Sequence, residues 1–150
     1  MHHTHEIDAL AAALLDLVGF LNSPRQDDVL LESAGVSLDR ALFPLLVRIG
    51  ASGSIGVVAI ADKLGRDHST ISRQVAKLET LDLVIRHHVQ DDQRLRAVRI
   101  TKKGKAMVHA ITKARRRLVG ELLKDWSAAE LRELARLNQK LANALKSVQR

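Results

Sequence analysis

Between Arg66 and Lys77 the chain sets hydroxyl and cationic side chains opposite an apolar stripe. Ile71, Val75 and Leu78 recur at helical spacing. At 100° per residue the other face carries Arg66, Ser69, Arg73 and Lys77, flanked by Thr70 and Ser72. Hydroxyls exchange single hydrogen bonds, arginine grips two acceptors at once, and lysine supplies a compact charge. Such a face suits a polyanion that also displays hydrogen-bonding edges. In the groove of double-stranded DNA, Arg73 can bridge a guanine edge and Lys77 can meet a backbone phosphate, while the hydroxyls contact either. Further on, the polar tip QDDQR places Arg94 where an arginine can enter a narrow minor groove, with Asp92 two residues away to brace it. An ordinary solvated helix face would use the same residue types, so the weight falls on the elements around them.

Those elements come in a telling order. A helix over Val57–Leu64 stops at Gly65, a residue suited to a left-handed cap, and Asp67 caps the next helix, which runs to about Leu81. Residues 84–89 and 95–100 alternate as two strands. Ile85 and Val89 share one face of the first, and Val98 and Ile100 one face of the second. Helix, tight turn, helix and two strands make a winged helix-turn-helix, here spanning residues 38–104.

Around it lie more helices. Ile7, Leu10, Ala11, Leu14, Leu15, Val18 and Leu21 predict a first helix over residues 6–22, ended by Asn22, Ser23 and Pro24. The segment Arg25–Val36 reads as a loop. Ser37 caps a helix reaching Arg48 or Ile49, and Gly50, Gly53 and Gly56 break the chain after it. Thr101 opens a long helix with Met107, Ile111, Leu118 and Leu122 at helical intervals. Ser127 and Glu130 then form a capping box for a last helix, with Trp126 and Leu131 as its staple. Its stripe of Leu131, Leu134, Leu137, Leu141, Leu145 and Val148 exceeds what a small winged domain covers. Residues 6–22 and 105–149 therefore read as dimerisation helices of a single 150-residue subunit. The fold class is mainly α with a small β wing.

Charge supports the polyanion. Lys63–Arg117 holds 15 Lys and Arg against 5 Asp and Glu, while the remainder holds 9 against 12. Hydrophobic residues make up 46% of the chain and aromatics 2%, so the core is aliphatic. Without cysteine there is no disulfide, thiolate metal site or thiol sensor. No apolar run approaches the roughly 18 residues of a membrane span, and His2, His3 and His5 do not make a signal peptide, so a cytoplasmic location without membrane attachment is expected. His68, His87, His88 and His109 lack ligand spacing on one helix, and neighbours on a strand point to opposite faces. No metal and no cofactor are expected. Asp67, His68, Ser69 and Ser72 crowd together but offer no oxyanion arrangement, which argues against an enzyme.

The stretches AIADKLGRDHSTISRQVAKLE, LVIR and DDQRLRAVRITKKG resemble the MarR (multiple antibiotic resistance regulator) family of bacterial transcription factors. The family's wing pattern, Asp-x-Arg followed by Leu-Thr-x-x-Gly, falls on Asp92, Arg94, Ile100, Thr101 and Gly104. Ile100 stands where the family has leucine, and Asp82 where it often has glycine. Asp tolerates left-handed backbone better than most residues, so the turn should survive. The resemblance implies a homodimer on a pseudo-palindromic operator, its recognition helices about 34 Å apart. It also implies repression relieved by a small, often aromatic, effector bound between the dimerisation and DNA-binding parts. Candidate pocket residues are Phe20, Leu42, Leu45, Leu46, Met107 and Ile111, each of which could equally be core. Two other readings use the same fold: a winged-helix protein-interaction module, and a sequence-neutral DNA-packaging protein.

Overall fold

Three strands, not two, build the wing. The computed structural model describes residues 3–89 and 92–148; the side chains of Val89 and of residues 92–95 lie outside the described residues. In chain order the elements are α1 (Thr4–Leu21), α2 (Pro24–Ala34), α3 (Phe43–Ser52), β1 (Ser54–Gly56), α4 (Val57–Leu64), α5 (His68–Thr80), β2 (Val84–Val89), β3 (Asp92–Ile100), α6 (Lys102–Leu122) and α7 (Ala128–Val148). The antiparallel sheet runs β1-β3-β2, with Ile55 opposite Val98 and Arg86 opposite Val98 on the other side. β1 is three residues that follow Gly53 and end on Gly56, too short to show a period-two pattern in sequence. The chain forms two compact units, Met1–Arg115 and Arg116–Arg150. Among the described residues no single helix is long and apolar enough to cross a membrane.

Two expectations for the N-terminal half need correction. The segment after Pro24 is a helix and not a loop. Proline has no N–H to lose and a preset φ, which suits the first position of α2, and Gly35 closes the other end. Leu31 buries itself against Phe43 and Ile111, with Leu30, Ala34, Val36, Leu38, Val47 and Met107 around them. The next helix does not start at Ser37. Asp39 holds a turn, its carboxylate accepting from Ala41 N at 2.8 Å and its carbonyl from Leu42 N at 2.9 Å. Pro44 then fits only the first turn of α3.

The main core gathers Leu42, Leu45, Leu46 and Ile49 with Ile55, Ile60, Ala61, Ile71, Val75, Leu78, Leu83, Val84 and Val98. It is aliphatic, and it orients α5 by burying Ile71, Val75 and Leu78 completely. On β2 Val84 is buried, whereas Ile85 is 42% exposed. On β3 both Ala97 and Val98 are buried, and the half-buried Ile100 packs against the same core cluster as Val98. β3 also begins three residues earlier than its alternation suggested, at Asp92.

The wing is tied to α5 and α6 at its base. Asp82 adopts φ 60°, the left-handed turn expected there, and Leu83 N donates back to the Leu78 carbonyl at 3.0 Å. Thr101 Oγ1 donates to the Asp82 carbonyl at 2.6 Å and accepts from Gly104 N at 3.0 Å, so one hydroxyl caps α6 and pins the turn. Gly104 is buried because α6 approaches the Leu83 backbone so closely that a β-carbon there would overlap the Leu83 carbonyl oxygen.

Candidate nucleic-acid interface

The start of α5 is fixed before any side chain reaches out. Gly65 takes the left-handed conformation at φ 62°, turning the chain from α4 into α5. Asp67 then accepts from Thr70 N at 2.7 Å and from Ser69 Oγ at 2.8 Å. The Thr70 backbone bond is the largest of the causes that lower the Asp67 pKa to about 2; the hydroxyls of Ser69 and Thr70 and the charge of Arg73 add to it. Ser69 is therefore engaged by the cap, although it stays exposed.

The other expected contact residues divide into two groups. Arg73 and Lys77 are exposed, with Arg73 Nη2 3.4 Å from Thr70 Oγ1. They border a groove of about 310 Å³ with Asp39, Ala41, Leu42, Thr70 and Gln74. Arg66 is half-buried and committed to the scaffold: its Nη1 donates to Gln74 Oε1 at 3.0 Å and to the Ala41 carbonyl at 3.3 Å. It braces α5 against the turn before α3. Ser72 is half-buried, and its carbonyl accepts from Arg86 Nη2 at 3.1 Å. The side chains of Asp92 and Arg94 lie outside the described residues, so the minor-groove contact rests on sequence alone.

Arg86 is the residue that sequence reasoning passed over. Its Nε also lies 3.5 Å from Glu79 Oε1, an ion-pair distance without hydrogen-bond geometry. The alternation of LVIRHH was the available signal, since it puts Arg86 on the Val84 side of β2, toward α5.

The candidate effector residues do not form one cavity wall. Leu42, Leu45, Leu46 and Ile111 are core, Met107 packs beside them, and Phe20 is 48% exposed on α1. Next to Phe43 lies a groove of about 320 Å³ lined by Phe43, Pro44, Val47, Arg48, Ala51, Leu64 and Arg115. The Arg115 guanidinium stands 5.9 Å from the centre of the Phe43 ring, a cation–π distance.

The MarR family model matches residues 38–95, from the turn before α3 into the wing. The uncharacterized HTH-type transcriptional regulator YxaD of Bacillus subtilis (strain 168) is 32% identical over 108 residues, covering 72% of this chain and 76% of that protein. This chain belongs to the MarR family. It is a DNA-binding transcriptional regulator, and the family is not one of enzymes. The fold agrees with solved MarR-type structures. A MarR family protein from Bacillus stearothermophilus superposes with a TM-score of 0.76 at 20% identity, covering 93% of this chain and 97% of that one. Streptococcus pneumoniae FabT, solved in complex with DNA, does so at 0.68 with 15% identity, covering 90% and 99%. Within the MarR family's winged fold, α5 is the helix that follows the turn, and Arg73 and Lys77 are its solvent-facing cations.

Proposed function

We propose that this MarR protein is a homodimeric repressor that reads a pseudo-palindromic operator through paired α5 helices and leaves it when a small organic anion binds. The observation that carries the reading is the division of α5. One face is wholly buried, which fixes the helix, and the other offers Arg73 and Lys77 to solvent from a rigidly capped start. Arg73 reads a base edge, Lys77 holds phosphate, and Ser69, Thr70 and Ser72 line the contact; Arg94 with Asp92 serves the minor groove. Arg66 joins this set as the brace for α5.

Support for a dimer comes from apolar faces without cover. α1 and α7 bury no residue, and on α7 Leu145 and Val148 are 59% and 82% exposed. Exposing so much aliphatic surface is unfavourable at about 25 cal/mol per Å², and a two-fold partner removes the penalty. We assign residues 6–22 and 105–149 to dimerisation and 38–104 to DNA binding. The groove beside Phe43 supports the effector role. An apolar floor flanked by Arg48 and Arg115 suits an aromatic or aliphatic carboxylate, next to the core residues Leu45, Leu46, Met107 and Ile111. Phe20 and Leu42 complete the proposed neighbourhood.

Selection of bound fragments from sheared genomic DNA, followed by titration of the best fragment, tests the proposal. A recurring palindrome bound far above random duplexes supports it. Equal binding to all fragments favours a packaging protein, and no binding at low salt favours a protein-interaction module.

A further inference from the structure

Gln74 is a polar side chain of α5 to which the DNA contact assigns nothing. It shares one stripe of the helix with Thr70 and Lys77, and with them and Arg73 it borders the groove of about 310 Å³. An amide has two unlike ends, an oxygen that accepts and a nitrogen that donates. Arg66 Nη1 donates to Gln74 Oε1 at 3.0 Å and to the Ala41 carbonyl at 3.3 Å, so a half-buried cation holds the oxygen end against the scaffold. The nitrogen end must then face away from Arg66. Nε2 makes no hydrogen bond among the described residues. Among them the one buried polar side-chain atom without a partner is Arg86 Nε, so Gln74 Nε2 is open to solvent. The Asp39 carboxylate lines the same groove and disfavours a phosphate there, which leaves a base edge as the better match.

We propose that Gln74 is a specificity-determining residue that reads a keto base, guanine or thymine, as a donor of fixed orientation. The inference rests on the reading of DNA through α5 and adds a base contact to it. A free glutamine grips adenine with both ends, accepting from N6 and donating to N7. With Oε1 turned toward Arg66, that two-point grip is lost and one donor remains. The major-groove acceptors it can meet are guanine O6 and N7 and thymine O4. Cytosine shows only its N4 donor there, and adenine sets its N6 donor beside N7, so an amino base brings donor against donor. Each base pair holds one keto and one amino base, so the preference fixes which strand carries the keto partner. Arg66 is a positioning residue in this contact: it touches no DNA and sets which end of the amide faces out.

The full chain and its variants Gln74→Glu, Gln74→Leu and Arg66→Ala are each used to select from a pool of duplexes with randomised sequence, and the enriched sequences are compared position by position. The parent should favour a keto base at one position of each half-site by roughly fivefold, the worth of one neutral hydrogen bond. Gln74→Glu keeps an acceptor for Arg66 and turns the free end from donor to acceptor, so that position should switch to cytosine or adenine. Gln74→Leu should lose the preference there and nowhere else. Arg66→Ala frees the amide to turn, and adenine should then be accepted at the same position. Thermal melts identify which variants are folded at the temperature of selection, and Gln74→Leu decides alone if Gln74→Glu is not. Folded Gln74 variants that keep the parent's preference at every position, or that only bind all sequences more weakly, overturn the role of Gln74. An Arg66→Ala protein with the parent's preference overturns the part given to Arg66. A parent that enriches no motif overturns the sequence-reading proposal itself, so the failures are distinct.

Discussion

Replacing Gly104 by alanine gives the sharpest test of how the wing is mounted. The new methyl would overlap the Leu83 carbonyl oxygen and lie 2.6 Å from Ile100 Cγ1. The carbonyl is backbone and cannot swing away, and it also accepts from Thr101 N at 3.1 Å. Overpacking of this kind costs about 1–3 kcal/mol, and straining the shared hydrogen bond adds about 1 kcal/mol. The better helix propensity of alanine returns about 1 kcal/mol. The net of about 1–3 kcal/mol corresponds to a fall in Tm of roughly 2–12 °C for a chain of this size. Gly50→Ala in α3 is the contrast, because its methyl would meet the movable end of Ile100, Cδ1 at 3.2 Å, and Val108 Cγ2 at an ordinary contact distance of 3.7 Å. Propensity and crowding then nearly cancel, leaving Tm within about 3 °C of the parent. Thermal melts followed by circular dichroism decide the matter. A Gly104→Ala protein as stable as the parent would refute the close approach of α6 to Leu83, and with it the rigid base assigned to the wing.

Other perturbations separate binding from folding. Arg73→Ala should cost about 1–3 kcal/mol on the selected operator and narrow its margin over random DNA, whereas Lys77→Ala should weaken all duplexes alike; parallel titrations compare them. Arg66→Ala should lower Tm by about 2–4 °C, through loss of about 1 kcal/mol from its two scaffold bonds, and reduce DNA affinity only secondarily. Asp67 has its pKa lowered on folding, so the folded chain binds fewer protons than the unfolded one. Its contribution is complete above the ordinary aspartate value of 3.8 and drains away as pH falls toward about 2. Acid unfolding of Asp67→Asn should therefore be less steep across that window than that of the parent. Leu137→Glu on the exposed stripe of α7 should yield a monomer in sedimentation if that face pairs two copies.

The winged core could be read from the chain because each turn carried its own chemical mark. Gly65 and Asp67 bounded α5, Asp82 the next turn, Thr101 the start of α6, and Ser127 with Glu130 the start of α7, where the reciprocal bonds are 3.0 and 3.1 Å. The same grammar misled around proline. Pro24 read as a terminator and Pro44 as a mid-helix residue, yet both occupy helix first turns; what decides is tertiary burial of Leu31 and Phe43, which local sequence does not display. β1 was hidden by its length. At the interface, charge type was legible and charge employment was not. Arg66 and Arg73 look alike on a helical wheel, and only the carbonyl of Ala41 and the amide of Gln74 show that one is a strut. Arg86 was overlooked for the converse reason, since its partner Ser72 lies on another element.

The proposed function turns on α5 reading DNA sequence. The most direct test titrates the parent and Arg73→Ala against the best selected genomic fragment and against random duplex, at two salt concentrations. Parent binding about a thousandfold or more tighter on the selected fragment, with most of that margin lost in Arg73→Ala, is the predicted result. Equal affinity of the parent for both duplexes, or an Arg73→Ala protein with the full margin intact, would contradict it.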